Sequence, residues 1–288
     1  MNPTDFTYSS ADDVTIAARR WDPSEQPRGI VQLSHGMGEH IRRYGPLAQF
    51  LIEAGFIVVG QDHRGHGATV DSPAQHGQLG AAGWSGLVDD IGRLSKVVRA
   101  DHPDLPLVLL GHSMGSFAAQ QYALEHSSEI SALALTGTAV LDLLEPSLDL
   151  DQPMDLAMFN APFAPARTDY DWLSRDEAQV DLYVADPQCG FGLDGLAGRQ
   201  MFTGARALAD QARVAAMRPD LPVYIAVGDQ DPVNAQLALL SPLVERYSAA
   251  LGDVTVHIYP GARHEVFNEV NRGEVFTDLL TWLNRIVT

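Results

Sequence analysis

Four apolar residues, Leu107-Val108-Leu109-Leu110, run straight into Gly111-His112-Ser113-Met114-Gly115 and from there into a helix-forming stretch over residues 114–126. A short apolar run ended by glycine is the pattern of a buried strand in a parallel sheet. Joining such a strand to a helix with no loop between them demands a turn so tight that side chains at both glycine positions would clash. The serine between the glycines is then held on strained backbone at the carboxyl end of the strand, with its hydroxyl exposed. A helix-capping serine would explain Ser113 alone, but not two glycines at this spacing. The joint points to a layered α/β chain with a reactive serine at one sheet edge.

The rest of the chain repeats the alternation. Segments 6–9 and 14–21 are expected to open it as an antiparallel hairpin, and short apolar runs follow at 29–33, 56–59, 107–110, 132–135, 223–227 and 254–259. Between most of them lie helix-length amphipathic segments at 44–54, 84–101, 114–126, 235–250 and 273–286. Strand and helix in alternation give a parallel sheet covered on both faces. The pattern breaks between about 138 and 221, where the chain is rich in Asp and Pro and carries no clear strand. The expected organisation is a core of residues 1–137 and 222–288 with an inserted helical cap at 138–221. Eleven acidic residues between 141 and 186 face only Arg167 and Arg175, with Leu143, Leu144, Leu156, Met158, Phe159 and Phe163 interleaved. The simplest arrangement puts acid outside and these apolar side chains inside.

A formal net charge of -18 disfavours nucleic acid as a partner, since no basic stripe offsets the repulsion of a polyanion. It also disfavours resting on an anionic membrane, and no stretch approaches the ~20 apolar residues of a membrane span. The residues Met1-Asn2-Pro3-Thr4-Asp5 have no basic start and no apolar core, so the expected compartment is cytoplasmic. Cys189 is the only cysteine, which excludes an intramolecular disulfide.

A serine hydroxyl becomes a useful nucleophile only when a base takes its proton, and His264 is the histidine in position to do so. It follows the last strand after Pro260-Gly261-Ala262-Arg263 and so returns to the sheet edge that carries Ser113. His112 adjoins the serine but points along the turn. His102, His126 and His257 fit surface positions, and His76 has no assignable role. The turn Gly228-Asp229-Gln230-Asp231-Pro232 offers two carboxylates to orient His264, of which Asp231 is preferred and Asp229 is left to shape the turn. The glycine-framed segment Leu33-Ser34-His35-Gly36-Met37-Gly38-Glu39-His40 supplies backbone donors for a developing oxyanion, assigned to the amides of Met37 and Met114.

Five motifs in order, His35-Gly-Met-Gly-Glu-His40, Asp62-His-Arg-Gly-His-Gly67, Gly111-His-Ser-Met-Gly115, Gly228-Asp-Gln-Asp231 and Pro260-Gly-Ala-Arg-His-Glu265, resemble those of monoacylglycerol lipase and lysophospholipase-type α/β-hydrolases. The resemblance implies an α/β-hydrolase fold with a mostly parallel eight-stranded sheet and a cap over an acyl site. It also implies a triad of Ser113, Asp231 and His264 that hydrolyses esters. The expected substrates are monoacylglycerols, lysophospholipids or small alkyl and aryl esters; a thioesterase or amidase with the same triad, or a low-turnover receptor on the same scaffold, is the alternative. No metal or organic cofactor is implied, and the oligomeric state is left open. In such proteins residues 62–67 form a structural turn. Phe159, Phe163 and Trp172 are candidates to line the acyl site. Cys189, with no histidine beside it in the chain, is expected to be a packed cap residue.

Overall fold

The apolar runs become β1 (Thr4–Ser9), β2 (Thr15–Trp21), β3 (Gly29–Ser34), β4 (Phe56–Gln61), β5 (Leu107–His112), β6 (Ala132–Thr136), β7 (Val223–Gly228) and β8 (Val254–Tyr259) in a computed structural model that describes residues 2–287. They form one eight-stranded sheet in the order β1-β2-β4-β3-β5-β6-β7-β8. Only β2 runs against the others, because it pairs antiparallel with both β1 and β4 while every other pairing is parallel. The connections are α1 (Gly45–Glu53), α2 (Gly83–Arg99) and α3 (Met114–His126), then α4 (Leu141–Leu144), α5 (Glu177–Ala185), α6 (Gly195–Ala205) and α7 (Gln211–Ala215), and finally α8 (Ser241–Ser248) and α9 (Arg272–Ile286).

Side chains of a strand alternate between faces, and the core divides accordingly. Ile30, Ile57, Leu107, Leu109, Leu133 and Ile225 join α2, α3 and α8 on one side. Val31, Val58, Val108, Leu110, Ala134 and Tyr224 join α1 and α9 on the other. The central strands are buried on both faces, as parallel strands between helix layers must be. Strand β5 lies between β3 and β6, with Ser34 opposite Gly111 and Thr136 opposite His112, so three strands end together beside Ser113.

Helix α8 departs from the expected 235–250. Its first half does not form because Ala235, Gln236 and Leu237 take φ values of 51°, 52° and 78°, outside the right-handed helical region. Asn234 Oδ1 accepts the Leu237 amide and Asp231 O accepts the Gln236 amide, closing a compact turn instead of a helix. The helix starts only at Ser241, with Pro242 in its first turn.

Between β6 and β7 the described residues form short helices and turns and no strand. Leu156, Trp172, Leu173, Tyr183, Met201 and Phe202 are buried against the first core face. The expectation that the interleaved apolar residues all face inward fails at Leu143 and Met158, which are 48% and 46% exposed. Helix α4 is a single turn, so burying Leu141 turns Leu143, about 200° further round, outward. Among the described residues, no helix is long and apolar enough to cross a membrane.

Candidate active site

Ser113 joins β5 to α3 with φ 52° and ψ -123°, a backbone conformation that L-residues rarely adopt. The two glycines are sterically required. A Cβ on Gly111 would lie 2.5 Å from the Gly115 carbonyl oxygen, and one on Gly115 would lie 2.0 Å from that of Ser34. The strained residue is tied down by its amide to Thr136 O at 2.9 Å and by the Ser116 hydroxyl, which donates to Ser113 O at 2.6 Å.

His264 and Asp231, both buried, meet in the turns after β8 and β7. Nδ1 of His264 lies 2.9 Å from each Asp231 carboxylate oxygen, so the proton sits on Nδ1 and Nε2 is left as an acceptor. Asp231 Oδ1 also receives the Val233 amide at 2.9 Å. Asp229 instead accepts the Gly261 amide at 2.8 Å and makes no contact with the histidine. His112 lies with its ring 4.9 Å from that of His264 and its Nδ1 3.0 Å from the Thr136 hydroxyl. Burial, reinforced by His264, holds its pKa down at about 4, so it stays neutral. His102, His126 and His257 pair with Arg20, Glu129 and Asp278 at the surface, and His76 stacks on Phe191.

Two hydrogen bonds fix the loop after β3. His35 Nε2 accepts the His63 amide at 3.0 Å, which leaves the ring proton on Nδ1, and Nδ1 donates to Gly36 O at 2.8 Å. In a trans peptide the N–H points opposite the carbonyl. Holding Gly36 O against His35 therefore turns the Met37 N–H away from it. His63 and His66 pack against His35, and burial depresses all three rings. Their segment is a structural turn: Asp62 Oδ1 and Oδ2 accept the amides of Ile41 and Ala68 at 2.8 Å each.

Ser113, His264, Met37 and Met114 border one cavity of about 550 Å³, its open mouth included. Its remaining wall is mostly apolar, with Phe117, Leu141, Leu144, Met154, Leu156, Met201 and Phe202. Phe159 and Trp172 line it as well, and the Trp172 ring packs against His264 with centroids 4.9 Å apart and the planes tilted by 42°. Phe163 does not: its ring lies under the Arg263 guanidinium, 4.3 Å from the charge centre, outside the cavity wall. The cis Ala164-Pro165 bond follows it directly. Cys189 has histidine close by after all, with His40 and Asp186 offering ligand atoms within 4.8 Å. Burial pushes its thiol well above the usual range, which disfavours the thiolate.

Sequence reasoning missed how the segment between β6 and β7 grips the site. Gly38 O accepts both the Gly190 amide at 3.0 Å and the Tyr183 hydroxyl at 2.8 Å, while His40 Nε2 pairs with Asp186 at 2.9 Å. The backbone of Trp172 and Leu173 accepts the amides of His264 and Glu265. Spacing along the chain carries no trace of these contacts, which join residues about 90 to 150 apart.

The family model described as serine aminopeptidase, S33 matches residues 25–271. The chain is 33% identical over 286 residues to a monoacylglycerol lipase of Mycolicibacterium smegmatis, covering 97% of this chain and 96% of that protein. It is 30% identical over 282 residues to the monoglyceride lipase of Rattus norvegicus, covering 96% and 88%. Among solved structures it is similar to a thermostable carboxyl esterase from Bacillus coagulans, with a TM-score of 0.89, 28% identity and full coverage of both chains. A soluble variant of the Saccharomyces cerevisiae monoglyceride lipase shares the fold, with a TM-score of 0.80 at 22% identity over 100% of this chain and 96% of that one.

Proposed function

The chain is an ester hydrolase of the serine aminopeptidase S33 family of α/β-hydrolases, and from that premise we propose that it cleaves monoacylglycerols and other single-chain esters through an acyl-enzyme on Ser113. One observation carries the reading above the rest: a serine at φ 52° shares an apolar cavity with a histidine whose Nδ1 is held 2.9 Å from a buried aspartate.

The Ser113 oxygen attacks the ester carbonyl as its proton passes to Nε2 of His264. Asp231 keeps the imidazole in the tautomer that can accept that proton and stabilises the cation that forms. The negative charge on the former carbonyl oxygen is received by the amides of Met37 and Met114, the first aimed by His35 through Gly36. His264 returns the proton to the departing alcohol, the C–O bond breaks, and the acyl group remains on Ser113. Water then repeats the sequence, losing its proton to Nε2 while the serine leaves as the alcohol.

Residues 138–221 act as the cap. Their apolar side chains Leu141, Leu144, Met154, Leu156, Phe159, Met201 and Phe202 take up the acyl chain, which needs a dry slot that the open sheet edge lacks. A narrow single slot suits one chain better than the three of a triacylglycerol. Hydrolysis of a long-chain monoacylglycerol, measured beside its amide isostere and a triacylglycerol emulsion, tests the reading. Turnover should be greatest on the monoacyl ester, and preferential attack on the emulsion or the amide would reverse it.

A further inference from the structure

The sequence singled out Glu39 and Glu265 only as parts of motifs, and Arg43 not at all, yet these three side chains meet in a buried cluster whose two carboxylates also border the cavity that holds Ser113. Arg43 lies in the single 3-10 turn before α1, with its side chain 12% exposed. Its Nη1 donates to Glu39 Oε2 at 2.6 Å and to Glu265 Oε1 at 2.5 Å, and its Nη2 donates to Glu265 Oε2 at 2.7 Å. The guanidinium also sits 4.7 Å from the ring centre of Tyr183 on α5.

Each carboxylate is attached to one half of the catalytic apparatus. Glu39 Oε1 accepts the Gly36 amide at 2.5 Å and the Tyr44 hydroxyl at 2.8 Å, so it holds the peptide unit just before the one that presents the Met37 N–H. Glu265 directly follows His264, and its amide donates to Leu173 O at 2.7 Å. The planar fork of arginine can grip two carboxylates in fixed geometry, as a lysine ammonium cannot. Buried ion pairs add little net stability over apolar packing, so the clearer effect of this cluster is on geometry. Burial pushes the Glu39 carboxyl up, but Arg43 above all holds it down at about 2, keeping it a charged acceptor.

We propose that Arg43 is a positioning residue for ester hydrolysis, locking the loop that carries the Met37 amide to the loop that carries His264 by gripping Glu39 and Glu265 together. The inference rests on the serine-ester reading above, which fluorophosphonate labelling of wild-type Ser113 tests separately.

The test compares Arg43→Gln with the wild type on 4-nitrophenyl butyrate and on a monoacylglycerol, with inhibition by an alkyl trifluoromethyl ketone, whose serine adduct bears an oxyanion. A misaligned oxyanion site costs transition-state stabilisation and not ground-state binding, so kcat should fall at least about tenfold on both esters while KM stays within about threefold. Affinity for the ketone should fall by the same factor as kcat. Arg43→Lys, which keeps the charge and loses the fork, should show the same pattern to a lesser degree, and it serves as the test if Arg43→Gln does not fold. Wild-type kcat on both esters in the folded variant would overturn the proposal. A loss confined to the glyceryl ester would also overturn it, making Arg43 a contact for the leaving alcohol. A rise in KM with kcat unchanged would do the same.

Discussion

Asp231 sets both carboxylate oxygens 2.9 Å from Nδ1 of His264, whereas Asp229, two residues earlier in the same turn, directs its Oδ1 to the Gly261 amide. Asp231→Asn replaces an acceptor oxygen with a donor and favours the wrong tautomer of the histidine, so kcat should fall ~10⁴-fold. Asp229→Asn should leave it within about tenfold. Equal losses in the two variants would move the orienting role away from Asp231.

The turn at Ser113 leaves no room for side chains beside it. Gly115→Ala would set a methyl 2.0 Å from the Ser34 carbonyl oxygen, a backbone atom that cannot swing aside. Unfolding in urea should show a loss of about 3 kcal/mol or more, or no soluble protein. Gly273→Ala on α9 meets nothing within 4 Å and should stabilise by up to ~1 kcal/mol. Similar effects from both substitutions would mean that the turn at Ser113 has room for a side chain.

Much of this arrangement was legible in the sequence. The strand runs and the glycine-framed serine are local patterns whose period or spacing is dictated by backbone geometry, and Asp231 and His264 could be picked out because each follows a strand run that ends at the same sheet edge. Residues 235–240 were not legible: Ala-Gln-Leu-Ala-Leu-Leu has high helix propensity, and the turn is closed by hydrogen bonds that Asn234 Oδ1 and Asp231 O accept from the Leu237 and Gln236 amides. Phe163 was expected in the acyl site on its aromatic character alone, yet it pairs with Arg263, 100 residues away in the chain. The Glu39–Arg43–Glu265 cluster likewise depends on a contact across 222 positions.

Phe159 lines the cavity and Phe163 does not, so Phe159→Ala should lower kcat/KM for long-chain esters more than for acetate. In the wild type each added methylene should raise kcat/KM by up to ~0.8 kcal/mol, about fourfold, until the slot is full. Phe163→Ala should leave this chain-length profile unchanged. An identical change in both variants would place the acyl chain elsewhere.

The buried histidines make stability depend on pH. Burial holds His112 at about 4 and His66 at about 3, below their ordinary value of 6.5, so between these limits the unfolded chain binds protons that the folded one does not. Stability is therefore fully present above pH 6.5 and is lost as pH falls, each histidine contributing up to ~1.4 kcal/mol per pH unit until its folded-state value is reached. Urea unfolding at intervals from pH 7 to 4 should show a midpoint that drops steadily. A midpoint that is flat or rises toward acid would contradict the neutral buried state of these rings.

The central claim is that Ser113 forms the acyl-enzyme, and the most direct test is to identify by mass spectrometry the residue modified by a fluorophosphonate, with Ser113→Ala as the paired control. One phosphonylated residue per chain is expected, Ser113, with labelling and ester hydrolysis lost together in Ser113→Ala. In Ser113→Ala the fold should persist while kcat falls by ~10⁶. Modification of another serine or of Cys189, or a Ser113→Ala protein that keeps a tenth of the wild-type rate, would contradict it.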